Sequence, residues 1–132
     1  MADVLSEKAR ALIARPVLAS LATLNPDGSP QITPLWIDLE GDDVVFNTAQ
    51  GRKKARNLER DARVAVTVID PDDQYNVVAF QGTVTEVATD GADAHIDALA
   101  KKYLGVDTYP MRREGEVRLR VRVRTDRIAM QG

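Results

Sequence analysis

An alternation of apolar and charged residues marks one stretch near the end of the chain. The alternating run comprises Val117, Arg118, Leu119, Arg120, Val121, Arg122, Val123 and Arg124. A period of two predicts a half-buried antiparallel strand, with the apolar side chains in the core and the arginines on the solvent face. A short closing strand over 126–130 is predicted to follow.

Runs of β-branched and apolar residues between turn residues predict five earlier strands. They cover residues 17–24, 31–39, 44–48, 63–69 and 75–87. The Asn-Pro-Asp-Gly-Ser stretch at 25–29 has the composition of a tight hairpin turn, because Pro presets its φ and Gly accepts a positive φ. Gly82 predicts a bend in the long strand 75–87.

Pro34 interrupts the second predicted strand. Because proline has no backbone N–H to donate to a sheet, this strand lies at an edge or is bulged at Pro34. A bulge would leave backbone groups free for a ligand, whereas an edge strand needs no ligand. Both interpretations stay open at this stage.

Three helices are predicted, over 2–14, 51–60 and 90–104. The third should be capped by Thr89 or Asp90. The apolar residues expected to face the core are Val4, Leu5, Ala9, Leu12 and Ile13 in the first helix, and Ile96, Leu99 and Leu104 in the third. Six or seven antiparallel strands with peripheral helices and short connections favour closure into a β-barrel, here a single domain over 1–132.

The amino-acid composition and net charge exclude several classes of function. The chain has 132 residues, 29% of them charged, with a net charge of -2. A domain-wide positive field is absent, so we expect no nucleic-acid partner. No cysteine is present, which excludes disulfides and thiolate chemistry. The start of the sequence lacks signal-peptide features and no window is apolar enough to span a membrane, so the sequence predicts a cytoplasmic protein without a membrane partner.

The predicted helix 51–60 begins with an unusual concentration of positive charge. Arg52, Lys53, Lys54 and Arg56 lie in its first two turns. Cations at a helix N-terminus oppose the helix dipole unless an anion binds there. The pattern is therefore typical of a phosphate site at a strand-to-helix turn. The alternative is a solvated basic helix face.

Other catalytic signals are weak. His95 is the only histidine and is predicted to lie on the surface; with no cysteine or carboxylate cluster, no metal site is expected. No Ser-His arrangement, dinucleotide-binding fingerprint or P-loop is present. A bound cofactor would therefore carry any chemistry, and no catalytic side chain can be assigned.

Several segments together resemble a known family. They are 16–24, 25–31, Pro34-Leu35-Trp36, the Gly-Arg-Lys-Lys-Ala-Arg-Asn-Leu run at 51–58, Arg63-Val64, and Phe80 to Val84. In this order and spacing, over about residues 5–130, they resemble the pyridoxamine-phosphate-oxidase-like split-barrel oxidoreductases (the PPOX class). The nearest resemblance is to the branch that uses the deazaflavin coenzyme F-420.

The resemblance implies a homodimer of split barrels with two cofactor sites at the interface. Arg52 and Lys54 match the phosphate-binding cations, and Arg56 and Asn57 match neighbouring helix positions. The remaining implied cofactor residues are Gln31, Thr33, Pro34, Leu35 and Trp36 at the ring, Thr48, Ala49 and Gly51 at the turn, and Lys53 and Val77. Trp36 could instead complete a dimer core, and Val77 replaces an aromatic residue of some members.

Three functions remain open from the sequence. The first is an oxidoreductase that uses reduced deazaflavin to transfer hydride to an organic substrate. The second is an enzyme of the same fold that uses flavin mononucleotide (FMN), and the third is a cofactor-binding protein without turnover. The surplus cations Lys53, Arg56 and Arg60 favour the deazaflavin, because its oligoglutamate tail adds negative charges that FMN lacks.

Overall fold

A computed structural model describes residues 2–132 of the chain. In these residues three helices surround a seven-stranded antiparallel sheet. The elements are α1 (Glu7–Ala14), β1 (Ala19–Leu24), β2 (Pro30–Leu35), β3 (Ile37–Glu40), β4 (Asp43–Ala49), α2 (Lys53–Arg60), β5 (Arg63–Asp70), β6 (Asp73–Ala88), α3 (Ala92–Leu104) and β7 (Arg118–Met130). The predicted mainly β split barrel with peripheral helices is confirmed.

The strand order is β2-β1-β5-β6-β7-β4-β3, so the two outermost strands are consecutive in the chain. The prediction of one strand over 31–39 was therefore wrong. The segment divides at Trp36: β2 pairs with β1, and β3 pairs with β4 on the far side of the sheet. We call this break, from Pro34 to Ile37, the seam of the barrel.

Pro34 lies on an edge strand. Its register partner is Ser20 of β1, and β2 has no second neighbour in the sheet. The missing N–H therefore faces away from the ladder, where it costs no sheet hydrogen bond. The edge interpretation is the correct one, and the regular β1–β2 register gives no bulge at this residue.

The two strands predicted at the end of the chain form one strand, β7, which pairs with both β6 and β4. Its pairing with β6 changes register between Gln81 and Gly82, at the position where the sequence predicts a bend. A Cβ at Gly82 would lie 2.6 Å from the carbonyl oxygen of Arg124. Only glycine therefore permits this approach of the two backbones.

The helices end the barrel and cover its sides. α1 follows the N-cap Ser6, whose Oγ accepts a 3.1 Å hydrogen bond from the amide of Ala9. Leu5, Ala9, Leu12 and Ile13 are buried as predicted, but Val4 precedes the helix and is 64% exposed. α2 packs against β1 and β4, and α3 packs against β4 and β7.

The start of α3 corrects a second prediction. Its N-cap is Gly91 in the left-handed region (φ 75°), not Thr89 or Asp90, and no side chain caps it. Ile96 and Leu99 are buried as predicted, whereas Leu104, the last residue of the helix, is 49% exposed and does not face the core.

The C-terminal end of α3 closes the seam. The Tyr103 hydroxyl donates a 2.8 Å hydrogen bond to the carbonyl of Val17 and accepts one of 3.2 Å from the amide of Ile37. Nζ of Lys102 donates to the carbonyls of Ile13 and Ile37, each at 2.7 Å. These two side chains supply hydrogen-bond partners for backbone groups that no neighbouring strand pairs at this point.

Candidate functional site

A cavity of about 230 Å³ lies at the seam, and we call it the seam cavity. Its lining residues come from β1 and the chain before it, the seam, β4, α2, α3, the loop after α3, and β7. They are Leu18, Pro34, Leu35, Trp36, Asn47, Arg52, Lys54, Ile96, Leu99, Tyr109, Met111 and Arg118. Two larger cavities, of about 440 and 290 Å³, lie over β1, β5 and β6, and their linings mix apolar side chains with polar and charged ones.

Three cations border the seam cavity. Arg52 is the N-cap of α2, Lys54 lies in its first turn, and Arg118 begins β7. Burial lowers the pKa of Lys54, and the neighbouring charges of Arg52 and Arg118 lower it further. Within residues 2–132, no carboxylate oxygen lies within 4 Å of the Lys54 ammonium. A half-buried, unpaired ammonium beside two guanidiniums makes this wall of the cavity suited to an anion.

Arg118 corrects the prediction that the arginines of β7 face solvent. Its side chain is only 4% exposed. Nε donates a 2.8 Å hydrogen bond to Oδ1 of Asn47, and Nη1 donates one of 2.9 Å to Oε1 of Glu116. Its guanidinium lies 5.2 Å from the centre of the Tyr109 ring. These partners compensate the buried charge, while Arg124 farther along β7 stays exposed, as predicted.

His95 also differs from its prediction, because it is half-buried between α3 and β4. Its Nδ1 lies 3.1 Å from Nδ2 of Asn47. Asn47 Nδ2 also donates a 2.9 Å hydrogen bond to the carbonyl of Ala92. Burial lowers the pKa of His95, and Arg118 adds to this lowering while Asp38 opposes it.

Two aromatic side chains, Trp36 and Tyr109, also line the seam cavity. Trp36 stacks on Tyr103 with ring centres 5.3 Å apart, and it meets Tyr109 edge-on at 6.0 Å. Trp36 therefore packs on aromatic side chains of its own chain and lines the cavity at the same time. Aromatic side chains and cations lining one cavity suit a planar ligand with a charged group.

The loop between α3 and β7 carries Tyr109 and Met111 to the cavity. Asp97 of α3 holds this loop by accepting a 2.8 Å hydrogen bond from the amide of Tyr109 and one of 2.6 Å from Nη2 of Arg112. The hydrogen bond from Tyr109 and then that from Arg112 keep the pKa of Asp97 below its ordinary value. The carboxylate thus stays charged and the loop stays attached.

The structure gathers five of the predicted cofactor residues at the seam cavity: Pro34, Leu35, Trp36, Arg52 and Lys54. The other nine do not line it. Lys53 and Arg56 are exposed on α2, and Gly51 is exposed in the turn before it. Thr48 and Ala49 are buried in β4, Gln31 and Thr33 are half-buried on β2, and Val77 is half-buried on β6 opposite Ile69.

Asn57 lies buried between α2 and the β1–β2 hairpin. Its side chain is buried, and Nδ2 donates hydrogen bonds to Oγ1 of Thr23 at 3.0 Å and to Oδ1 of Asn25 at 3.2 Å. It thereby fixes α2 on the β1–β2 hairpin and sets the direction of the cation-rich first turn.

Sequence reasoning missed seven residues that line the cavity: Leu18, Asn47, Ile96, Leu99, Tyr109, Met111 and Arg118. It also missed Glu116, which pairs with Arg118. Four equally spaced arginines give no sign of which one is buried. The one usable signal was Glu116, a carboxylate two residues before Arg118 and therefore on the same side of an extended chain.

The family model for pyridoxamine 5'-phosphate oxidase matches residues 5–130, nearly the whole chain. The chain belongs to this family. An F420 reductase of known structure is 31% identical, with a TM-score of 0.85 over 95% of this chain and 98% of that one. The basic turn, the seam and the barrel are thus features of a pyridoxamine 5'-phosphate oxidase family member.

More distant structures share the fold of this family. A conserved hypothetical protein, Rv2991, from Mycobacterium tuberculosis is 24% identical over 97% of this chain and 86% of its own, with a TM-score of 0.73. An FAD and heme binding protein from Mycobacterium smegmatis is 21% identical over 96% of this chain and 70% of its own, with a TM-score of 0.67. Across residues 2–132, no helix is long and apolar enough to cross a bilayer, and no three His, Asp or Glu side chains are grouped to hold a metal ion.

Proposed function

We propose that this protein is an oxidoreductase that binds a reduced deazaflavin coenzyme of the F420 type and uses it to reduce an organic substrate. The observation that carries this proposal is Lys54, a half-buried ammonium without a carboxylate partner among the described residues, at a cavity with an aromatic wall. The similarity to an F420 reductase at 31% identity over 95% of the chain supports the choice of cofactor.

The residues present fit two parts of such a cofactor, its phosphate and its ring. Arg52 and Lys54 would hold the phosphate, since each charged hydrogen bond in a sheltered site contributes roughly 1.5–3 kcal/mol. Trp36 and the other apolar wall residues would contact the ring and exclude water. When bound, the deazaflavin supplies the hydride. No side chain of the site is assigned as a proton donor.

A second copy of the chain is part of the proposal. The seam cavity, at about 230 Å³, is smaller than the ~300 Å³ at which pockets for drug-sized ligands begin. The outer face beside it carries exposed apolar residues, Ile32 at 67% and Leu18 at 59%, and the small side chains of Ala22, Ala65 and Ala79, which line the cavities on this face. We infer a homodimer that buries roughly 2,000 Å² in total and completes the site.

FMN is the alternative cofactor, because it presents a phosphate beyond the same type of ribityl chain. The exposed cations Lys53 and Arg56 favour the deazaflavin, whose tail carries further negative charges. Screened surface charges contribute about 0.2–1 kcal/mol each, so the preference should be roughly tenfold and should shrink as salt rises. A cofactor carrier without turnover is the remaining alternative.

The deciding experiment is a titration of the purified protein with the deazaflavin and with FMN, followed by the visible spectrum. We expect the deazaflavin to bind more tightly at low salt. Replacing Lys53 and Arg56 together by Gln should narrow the gap and leave FMN affinity nearly unchanged. Equal or tighter binding of FMN by the unmodified protein would favour the FMN enzyme. Binding of the reduced deazaflavin without oxidation by any acceptor would favour the carrier.

A further inference from the structure

Glu116 lies between two of the cations that border the seam cavity. Its Oε1 accepts the 2.9 Å hydrogen bond from Arg118, and its Oε2 lies 3.7 Å from Nη2 of Arg52. The Glu116 side chain is only 9% exposed. Within residues 2–132 it is the one carboxylate within 4 Å of Arg52, Lys54 or Arg118.

The two contacts of Glu116 differ in strength. Arg118 is buried, its hydrogen bond to Glu116 is short, and Asn47 holds its other side. Arg52 is 48% exposed, and its distance of 3.7 Å makes a loose ion pair without a hydrogen bond. The pair with Arg118 therefore belongs to the fold, whereas Arg52 can leave Glu116 at small cost when a better anion arrives.

We propose that Glu116 is an internal counter-anion that competes with the phosphate of the ligand for Arg52 and so sets the affinity and charge preference of the site. This inference rests on the proposed phosphate site and adds a specificity-determining residue to it. Glu116 need not touch the ligand, because it acts through Arg52 and through the net charge of the cavity wall.

The net charge of the cavity wall predicts how strongly Glu116 should affect ligands of different charge. Three cations and one carboxylate leave two positive charges at the wall. A phosphomonoester carries close to two negative charges at neutral pH, whereas a phosphodiester carries one. Because Coulomb energy is proportional to the ligand charge, removing the Glu116 charge should change log affinity about twice as much for the monoester as for the diester.

Glu116→Gln is a conservative test because the amide oxygen can still accept from Arg118. The titrations use FMN as the doubly charged probe, its monomethyl phosphate ester as the singly charged one, and riboflavin as the uncharged one. We expect E116Q to bind FMN roughly tenfold and the ester roughly threefold more tightly than the unmodified protein, with riboflavin unchanged. Glu114→Gln, the same charge change at an exposed site two residues away, should have little effect.

The double variant R52Q/E116Q tests the route of the effect. If Glu116 acts through Arg52, the gain from E116Q should be much smaller in the R52Q background. If E116Q does not fold, Glu116→Asp is the second variant. Its shorter side chain keeps a carboxylate for Arg118 but lies farther from Arg52. We expect this variant also to bind FMN more tightly than the unmodified protein does.

The outcomes separate this inference from the proposed function. Equal or weaker FMN binding by E116Q would overturn the counter-anion role, and so would the same gain in affinity for riboflavin as for FMN. In either case the phosphate site still stands, provided that the unmodified protein binds FMN more tightly than riboflavin. If the unmodified protein binds riboflavin as tightly as FMN, the phosphate site itself is wrong and the role of Glu116 falls with it.

Discussion

Nε of Arg118 lies 2.8 Å from Oδ1 of Asn47, and this contact fixes the proton position on His95. Arginine can only donate, so the amide oxygen of Asn47 must face Arg118 and its NH2 group must face the other way. The NH2 group then donates to the carbonyl of Ala92 and to Nδ1 of His95. His95 is therefore neutral, with its proton on Nε2.

The stability of the protein should accordingly depend on His95 in mild acid. The pKa of His95 is lower in the folded state than its ordinary value of 6.5. The unfolded chain therefore binds a proton first, and the free energy of unfolding should fall as the pH drops below 6.5. Urea unfolding at roughly pH 7.5 and pH 5.5 measures this loss.

The matched variant is His95→Gln, which does not titrate. As His95 is the only histidine, the variant should lose less stability than the unmodified protein over the same pH interval. An identical loss in both proteins would show that His95 keeps its ordinary pKa in the fold.

Lys54→Met should separate ligand binding from stability. The methionine removes a half-buried charge, so the free energy of unfolding should change by less than about 0.5 kcal/mol or rise. Affinity for a phosphate-bearing cofactor should fall by about 1–3 kcal/mol. Lys53→Met, one residue earlier and exposed, is the control. Wild-type affinity in the Lys54 variant would refute the phosphate assignment.

Tyr103→Phe should weaken closure of the seam. It leaves the carbonyl of Val17 and the amide of Ile37 without the hydroxyl that pairs them. Two part-buried groups without partners should reduce the free energy of unfolding by about 1–3 kcal/mol. Tyr75→Phe, at a site 86% exposed, should cost little in the same denaturation experiment. Equal effects of the two variants would mean that water replaces the Tyr103 hydroxyl.

Gly82→Ala should be more destabilising than a glycine substitution at a turn. The added methyl group would lie 2.6 Å from the carbonyl oxygen of Arg124 and 2.8 Å from Cγ1 of Val123, so β6 and β7 must separate. We expect a loss of about 1–3 kcal/mol in thermal or urea unfolding. Gly41→Ala carries only the strain of its positive φ, because nothing lies within 4 Å of the added methyl. A smaller loss at Gly82 than at Gly41 would contradict the close packing of β6 and β7.

Ile32→Lys tests the proposed homodimer. Ile32 is 67% exposed on the outer face of β2, and a buried lysine would disfavour pairing of two such faces. Light scattering at micromolar concentration should show a dimer for the unmodified protein and a larger monomer fraction for Ile32→Lys. Val4→Lys, 64% exposed before α1, is the control. A monomeric unmodified protein would exclude a site shared between subunits.

Local patterns predicted most of the fold but not the ends of its elements. The 25–29 turn and the alternation from Leu119 to Arg124 follow from neighbouring residues, and the structure confirms them. The alternation was wrong at its start, because Val117 is 42% exposed and Arg118 is buried. Trp36 divides a strand because its two halves pair with partners at opposite edges of the sheet, which is a long-range relationship that no local pattern contains.

The site was predictable only where its residues are neighbours in the chain. Arg52 and Lys54 share one turn of α2, so their charge pattern was visible in the sequence. Arg118 and Asn47, which are 71 residues apart in the sequence, meet across the β4–β7 strand pair. Their burial depends on that register, and the sequence gives no means of deriving it.

In a closed barrel the width of any opening would depend on the pairing of the strands, whereas at the seam these two properties are separate. Between β2 and β3 the chain is continuous, but no ladder joins these two edges. The width of the gap, and with it the mouth of the seam cavity, is therefore set by the hydrogen bonds of Tyr103 and Lys102 and not by strand pairing. Substitutions of the residues that close the seam should therefore change which molecules fit into the cavity while the strand pairing stays unchanged.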